Sequence, residues 1–317
     1  MAVTAYAPAS TGNVSLGFDI LGLALKPVDG ALLGDRVSVI APSDEFELTL
    51  AGRFADKLPK NAKENIVFDC FVGFQQVMAE QGVTIPPIAM QLEKNLPIGS
   101  GLGSSASSIV AALAAINAYF DSPLDDETLL RLVGKLEGQI SGSVHYDNVA
   151  PCYLGGLQLM VESEDKVSIT LPRFDDWYWT ICYSGASVPT AAARDILPTS
   201  YSTKTTIDFG RQLAVFTHAL YAGDKALAAS MIKDVLAEPH RKSLLAGFDE
   251  ARAFAESQGS LAFGISGSGP TVFALSNNAE TAENIRAWLQ ENYCQNEFGF
   301  SHVCKIDNNG TAITEDK

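Results

Sequence analysis

Apolar and polar residues alternate over short distances in the first half of the chain. Residues 3–7, 20–25, 36–40 and 46–50 are apolar or alternating runs bounded by Gly, Pro or Asp, and residues 88–93 alternate just before a glycine-rich turn. These runs predict five strands. Apolar side chains recur at helical spacing in residues 66–81, 105–120 and 126–140, which predicts three helices. We therefore expect a mixed α/β region.

The second half follows a clearer order of elements. Strands are predicted over residues 179–183, 261–265, 271–276 and 302–306, and a helix over 280–292. Residues 208–258 are helical in pattern, with breaks near Gly223 and Pro239. The resulting order, β-α-β-β-α-β, is that of a ferredoxin-like unit.

The chain length predicts two domains. The 317 residues suffice for two cores at about 100–200 residues per domain. We place the boundary between residues 162 and 176, so that residues 1–165 form an N-terminal mixed α/β domain and residues 166–317 a C-terminal ferredoxin-like domain. The fold class predicted is α+β. Disorder is expected only in the polar end, residues 307–317.

The net charge of the chain limits the classes of partner that it is expected to bind. A formal net charge of −15 repels nucleic-acid phosphates and anionic lipid, so neither is expected as a partner. Any nucleotide must then be bound by backbone amides, a metal ion and a few basic residues. The N-terminus shows no signal peptide, and the scattered cysteines predict reduced thiols of a cytoplasmic protein; these are Cys70, Cys152, Cys182, Cys294 and Cys304.

The segment PIGSGLGSSAS, residues 97–107, is the strongest chemical signal. Gly99, Gly101 and Gly103 alternate, which lets the backbone turn sharply and approach a ligand. Ser104 and Ser105 then open a helix, whose N-terminus offers free N–H groups to phosphates. A plain strand-to-helix turn with serine caps is the alternative. The segment lacks the Gly-Lys-Ser/Thr of a Walker A motif.

This segment resembles the phosphate-binding motif P-x-x-x-G-L-G-S-S-A of the GHMP kinase family. Two further segments resemble the family's first and third motifs, namely APASTGNVSLGFDILGLAL at residues 7–25 and GISGSGPTVFAL at residues 264–275. Between them, SGSVHYDNVAPCYLGG at residues 141–156 is similar to a segment distinctive of the homoserine kinases in that family. The resemblance covers nearly the whole chain and implies an ATP-dependent, Mg²⁺-dependent small-molecule kinase of two-domain GHMP fold.

The resemblance also implies roles for individual residues. It places ATP on the loop and helix start, which comprise Pro97, Ile98, Gly99, Ser100, Gly101, Leu102, Gly103, Ser104, Ser105, Ala106 and Ser107. It implies that Ser105 and Glu137 bind Mg²⁺, with Ser104 as the alternative serine. Glu137 lies at the edge of an apolar helical face, where an acidic residue suggests a partner. Lys94 is either a further charge near the nucleotide or a solvated lysine, and Asn65 is a candidate for the adenosine side.

For the acceptor, the resemblance implies L-homoserine. The matching positions are Asn13, Asp19, His145, Asn148, Arg194 and Arg241. The chemistry suits a free amino acid, because Asp19 can balance an ammonium group and arginine forks bind carboxylates. Asn148 is predicted to hold the hydroxyl, as a catalytic residue beside Ser105 and Glu137, and Asp147 is the candidate general base that we predict is not essential. A homodimer is left open.

Two other functions fit the same motifs. Another GHMP kinase would act on a sugar alcohol or an isoprenoid precursor, but such acceptors need no carboxylate clamp. A non-catalytic metabolite-binding protein on the same fold is the second alternative. The presence of both Ser105 and Glu137 argues against it, because a pure binder need not keep a pair of metal ligands.

Overall fold

The computed structural model describes residues 2–316, except for the side chains of residues 141 and 316. The strands are β1 (Ala2–Pro8), β2 (Ser10–Gly12), β3 (Leu21–Pro27), β4 (Gly34–Pro42), β5 (Glu47–Ala51), β6 (Ile88–Glu93), β7 (Leu157–Met160), β8 (Ser168–Leu171), β9 (Tyr178–Tyr183), β10 (Ala262–Ile265), β11 (Val272–Ser276), β12 (Phe300–Ile306) and β13 (Ala312–Asp316). The helices are α1 (Ile66–Glu80), α2 (Ser104–Tyr119), α3 (Asp126–Ser141), α4 (Val149–Leu154), α5 (Thr190–Asp195), α6 (Thr203–Ala222), α7 (Lys225–Met231), α8 (Glu238–Arg241), α9 (Phe248–Ser257) and α10 (Ala279–Asn292). Across residues 2–316, none of the helices combines the length and apolar character that crossing a membrane requires.

The first sheet carries the helix that follows the glycine-rich loop. Its strands run in the order β13-β1-β4-β6-β5, with β5 parallel to β6 and the other neighbours antiparallel. Helix α2 packs on β1 and β4 and contacts α1, α3 and α4. The sequence predicts a single apolar face for α2, yet nearly every residue from Ser104 to Asn117 is buried. Small alanine side chains allow this, because neighbours can approach the helix from all sides.

The predicted ferredoxin-like unit is confirmed in the second sheet. Strands β9 to β12 are antiparallel neighbours in the order β10-β11-β9-β12. Side chains alternate between the two faces of β11. Val272 and Ala274 pack with α9 and α10, whereas Phe273 and Leu275 pack with residues of α6 and α7. The region predicted as helical begins at Thr203 and resolves into α6, α7, α8 and α9.

Each of the two sheets contains strands from both halves of the chain. Strand β3 pairs with β12 and with β7, and β7 pairs with β8, so the second sheet extends into the first half of the sequence. The boundary at residue 165 stays a prediction. The expected disorder of residues 307–317 is wrong for residues 312–316, because β13 pairs antiparallel with β1 and its backbone hydrogen bonds offset the polar composition.

Candidate active site

A cleft of about 550 Å³ lies where loops from both halves of the chain meet. It is lined by the N-terminal end of α1, the glycine-rich loop, the start of α2, one face of α3, the segment before α4, and α5. Most polar residues that the sequence singles out face this cleft. It is therefore the candidate active site.

Glycines shape the loop between β6 and α2. Gly99, Gly101 and Gly103 all have positive φ, at 65°, 79° and 64°. A Cβ at Gly101 would overlap backbone atoms of Ser266 and Gly269. Residue 101 must therefore be glycine for two reasons, the left-handed backbone and the close approach of a second loop.

The N-terminus of α2 is open toward the cleft. Gly103 is its N-cap residue, and no side chain in the described part of the chain caps it. The alternative of serine caps is not what the structure shows, since Ser104 Oγ donates to Leu96 O and Ser105 Oγ to Glu137 Oε1. The first-turn N–H groups have no acceptor within the helix. They remain available to an anion, which the helix dipole also favours.

The turn between β10 and β11 braces this loop from the other half of the chain. The Ser266 hydroxyl donates to Gly101 O at 2.7 Å, and Thr271 N donates to Ser100 O at 3.1 Å. Gly267 N also donates to Gly12 O at 3.3 Å. The third motif thus links the phosphate loop to the first motif.

The oxygens of Ser105 and Glu137 lie next to each other at the start of α2. The Ser105 hydroxyl donates to Glu137 Oε1 at 2.7 Å. Burial raises the pKa of Glu137 to about 7, although the hydrogen bond from Ser105 and the charge of Lys94 oppose the rise. A cation nearby would relieve this cost. Two adjacent oxygens beside the open N-terminus of α2 fit Mg²⁺, which takes few protein ligands beyond phosphate oxygens. No cluster of three His, Cys, Asp or Glu within residues 2–316 could hold a metal.

Lys94 lies beneath the loop and is buried. Its exposed fraction is 2%, which rules out the solvated lysine that the sequence leaves open. Its Nζ lies 2.5 Å from Asp35 Oδ2, so its charge is paired.

The acceptor end of the cleft brings the first motif together with two arginines. Arg194 binds Asp19 through two parallel hydrogen bonds, NH1 to Oδ2 at 3.1 Å and NH2 to Oδ1 at 3.0 Å. Arg241 is 3% exposed, and it donates from Nε to Ala193 O at 2.8 Å and from NH1 to Gly267 O at 3.2 Å. Burial lowers the pKa of Arg241. Arg241 is thus buried and Arg194 is half-buried in an ion pair, which the sequence could not show because the partners lie far away in the chain.

Phe18 lies between the two arginines. The guanidinium carbons of Arg194 and Arg241 lie 5.5 Å and 5.2 Å from the centre of its ring. Asn13 adjoins this group, since its Nδ2 donates to Gly267 O at 3.2 Å and its Oδ1 accepts from Asp19 N at 2.9 Å. The left-handed backbone of Asn13 and Asp19, with φ of 68° and 59°, turns their side chains inward.

The segment before α4 completes the acceptor end. His145 Nδ1 lies 3.6 Å from Asp19 Oδ2, and burial lowers the pKa of His145. Asn148 Oδ1 accepts from Ser10 Oγ at 3.0 Å. Asp147 is buried, and burial together with repulsion from Asp19 raises its pKa to about 7. A Cβ at Gly12 would overlap the Asp147 carboxylate, so glycine there permits the contact with β2.

Four of the predicted loop residues do not face the cleft. Pro97, Leu102, Ala106 and Ser107 are buried and absent from its lining. Ser107 Oγ instead donates to Ala7 O at 2.7 Å. A contribution of these four residues to ATP binding would come from the backbone.

The opposite end of the cleft is lined by residues at the start of α1. Asn65 Oδ1 accepts from Val67 N at 3.0 Å and so caps the helix, while Asn65 Nδ2 is buried with no partner among the described residues. Leu58, Pro59 and Ile66 add apolar surface there. Sequence reasoning missed these apolar residues and Asp35, because no motif contains them at a recognisable spacing. It also missed Phe18, because an aromatic residue in a motif suggests only packing.

Comparisons with known proteins show which family the chain is similar to. Residues 65–156 match the family model for the GHMP kinases N terminal domain, and residues 216–294 match that for the GHMP kinases C terminal domain. A homoserine kinase from Cytophaga hutchinsonii is 32% identical, with 99% of this chain and 97% of that chain covered and a TM-score of 0.87. A candidate homoserine kinase from Listeria monocytogenes is 21% identical, covering 99% and 100% with a TM-score of 0.72. A mevalonate kinase from L. major, solved with R-mevalonate, is 14% identical, covering 95% of each chain with a TM-score of 0.67.

Proposed function

Because the chain belongs to the GHMP kinase family, we propose that it transfers the γ-phosphate of ATP to the hydroxyl of L-homoserine. The products are ADP and O-phospho-L-homoserine, on the route to threonine. The family supplies the phosphotransferase activity. The identity of the acceptor must be argued from the residues of this cleft.

The observation that supports homoserine as the acceptor is the bidentate pair of Asp19 and Arg194 beside buried Arg241. Without a ligand, Asp19 and Arg194 neutralise each other. A zwitterionic amino acid can take the place of this internal pair, with its ammonium on Asp19 and its carboxylate on Arg194 and Arg241. An acceptor with a single charge would leave one of these groups unpaired in a partly buried site, which is costly. This exchange favours a free amino acid over an acceptor with a single charge, such as mevalonate.

ATP lies with its phosphates on the loop and its base at the α1 end. The open N-terminus of α2 and the turns of Gly99, Gly101 and Gly103 provide N–H groups for the phosphate oxygens. Asn65 Nδ2 is held in place by the cap that its Oδ1 makes, and it offers a donor to a ring nitrogen of adenine. The apolar residues around it cover the faces of the base.

Ser105 and Glu137 would hold Mg²⁺ in this arrangement. When bound, the ion neutralises charge on the β- and γ-phosphates. The protein's own contribution is positional, since the hydrogen bond from Ser105 fixes the carboxylate of Glu137 at the first turn of α2.

Asn148 orients the acceptor hydroxyl in this proposal. Its Oδ1 accepts from Ser10 Oγ, and its side chain also hydrogen-bonds the neighbouring Asp147, so the amide group is held in one orientation. In a loose phosphoryl-transfer transition state the nucleophile forms little bond early, so its proton can leave late. Asp147 is then not required as a base, although its position in the cleft makes that worth testing.

The test is ADP release from Mg-ATP with a panel of acceptors: L-homoserine, mevalonate and galactose. Release with homoserine and background rates with the other two are expected. Release with mevalonate or galactose but not homoserine would assign a different acceptor within the family. Binding of ATP without release for any acceptor would favour the non-catalytic alternative.

A further inference from the structure

A buried ion pair lies directly beneath the phosphate loop. Lys94 follows the last residue of β6, and Asp35 is the second residue of β4. Lys94 Nζ and Asp35 Oδ2 are 2.5 Å apart, and the two side chains are 3% and 0% exposed. Such a pair has high desolvation cost and adds little net stability, so its presence calls for another explanation.

The hydrogen bonds of this pair hold the chain on both sides of the loop. Asp35 Oδ1 accepts from Asn95 N at 2.8 Å and from Leu96 N at 2.9 Å, where the chain enters the loop. Lys94 Nζ donates to Ser104 O at 2.7 Å and to Ser108 Oγ at 2.8 Å, in the first turns of α2. The segment between these anchors, residues 97–103, contains the three glycines with positive φ. Glycine has the largest backbone entropy of any residue. Fixed ends therefore reduce the conformational entropy that the loop loses when it binds phosphate.

The pair is also oriented toward the cleft. Lys94, Ser104 and Ser108 line it, whereas Asp35 does not. The positive end of the pair therefore lies next to the N-terminus of α2, where Lys94 Nζ bonds Ser104 O. Dipoles fixed in a site of low dielectric act on an anion more strongly than in water.

We propose that Lys94 and Asp35 are positioning residues for the nucleotide phosphates. They act by holding the ends of the phosphate loop and by presenting the positive end of a buried dipole, without Lys94 leaving Asp35 to contact the nucleotide. This inference depends on ATP binding in the cleft and not on the identity of the acceptor. It therefore survives if homoserine proves to be the wrong acceptor.

The main test is the double variant Asp35→Asn/Lys94→Met, which removes both charges. The asparagine keeps an oxygen for the amides of Asn95 and Leu96, and a neutral pair of similar volume is often as stable as a buried ion pair. We expect a melting temperature close to that of the unmodified protein. The Kd for a fluorescent ADP analogue and the KM for ATP should rise by about 10–100-fold, as for loss of charge-assisted hydrogen bonds, with the acceptor KM little changed.

Lys305→Met is the matched control. Lys305 Nζ likewise donates more than one hydrogen bond within the chain, to Asp175 O at 2.8 Å and to Trp177 O at 2.9 Å, but it does not line the cleft. This variant loses similar bonds and should leave the Kd for the nucleotide unchanged.

The single variant Asp35→Asn separates positioning from direct contact; it leaves the buried charge of Lys94 without its partner, so its nucleotide Kd is measured well below its own melting temperature. If Lys94 were a phosphate ligand restrained by Asp35, its release would tighten nucleotide binding. The proposal predicts weaker binding, because Lys94 loses the charged partner that holds it against Ser104 and Ser108 at the start of α2. Tighter binding by Asp35→Asn would overturn it. An unchanged Kd in a folded double variant would also overturn it and leave the pair a purely structural feature.

Discussion

The phosphate end of the cleft is one continuous stretch of backbone, whereas the acceptor end is assembled from side chains of four separate segments. Residues 97–105 supply the first through glycine turns and the N-terminus of α2. The second combines Asp19, His145, Arg194 and Arg241, which come from distant parts of the sequence and meet around one ion pair. Binding at the phosphate end therefore depends on backbone φ angles, and binding at the acceptor end depends on pairing between charged side chains.

This difference has a functional consequence that substitutions can test. A change in backbone freedom at the loop should affect ATP, and a change in side-chain charge at the acceptor end should affect the acceptor. Glu137 lies between the two ends and should affect turnover itself.

The largest effect is expected for Glu137→Gln. The variant keeps the shape of the side chain and loses the charge that a metal ion needs, so kcat should fall by about 10²–10⁴-fold while the melting temperature stays near that of the unmodified protein. Steady-state kinetics at several Mg²⁺ concentrations measure this. Glu127→Gln is the control, because Glu127 is on the same helix and only forms an ion pair with Arg131. Normal turnover with an unchanged Mg²⁺ response would show that Glu137 is not a metal ligand.

Gly101→Ala should weaken ATP binding. The added Cβ meets backbone atoms of Ser266 and Gly269 at a residue with φ of 79°, so the loop must shift. Strain of this kind amounts to about 1–3 kcal/mol, which corresponds to roughly 5–150-fold in Kd. Gly82→Ala is matched, since Gly82 has φ of 77° with open space around it. Equal ATP affinity in both variants would contradict a backbone-built phosphate site.

Arg194→Ala and Arg241→Ala should each raise the KM for homoserine more than that for ATP. A charge-assisted hydrogen bond is worth about 1.5–3 kcal/mol, so roughly 10–100-fold is expected for the acceptor. Arg241→Ala should also lower the melting temperature, because the buried guanidinium bonds Ala193 O and Gly267 O. A larger change in the KM for ATP would mean that the arginines bind the nucleotide.

Asp147→Asn should have the smallest effect on activity, less than about tenfold, because a general base contributes about 10²–10⁴-fold where one is essential. Asn148→Ala should lose more, since the hydroxyl is then misplaced. A collapse of turnover in Asp147→Asn, with substrate binding intact, would make Asp147 the base.

The same variant has a pH signature in stability. The pKa of Asp147 is raised from 3.8 to about 7 in the folded protein, so the folded state keeps a proton that the unfolded state has lost. The stability that this proton contributes is present below pH 4 and is lost as the pH rises toward 7. Asp147→Asn does not titrate. Relative to the unmodified protein, its free energy of unfolding should increase between pH 4 and 7, by at most about 4 kcal/mol, and level off above. Parallel stability curves for the two proteins across that range would show that Asp147 ionises freely.

The local geometry of the glycine-rich loop could be predicted from consecutive residues, whereas the contacts among the acceptor residues could not, for a physical reason. A turn of three alternate glycines before a helix is a local property of consecutive residues, and the observed φ angles follow from it. The ferredoxin-like order is likewise readable from alternating runs, and the ends of most predicted strands and helices shift by only a few residues.

Long-range contacts account for most of what the sequence could not predict. β7 and β8 are four-residue strands that pair with each other, with β7 also paired to β3, and α5 is a six-residue helix with little pattern of its own. The burial of Arg241 depends on carbonyls 26 and 48 residues away. Lys94 could not be distinguished from a surface lysine without Asp35, which is 59 residues away.

The most direct measurement compares L-homoserine with two acceptors that each lack one charge. 4-Hydroxybutanoate lacks the ammonium group and 3-aminopropan-1-ol lacks the carboxylate, while both keep the hydroxyl. Phosphoryl transfer is followed by ADP release and by mass spectrometry of the product. Loss of either charge should lower kcat/KM by at least about 100-fold, because one member of the Asp19–Arg194 pair is then left without a partner. Comparable kcat/KM for all three acceptors, or transfer to none of them, would contradict an acceptor site built for a zwitterion.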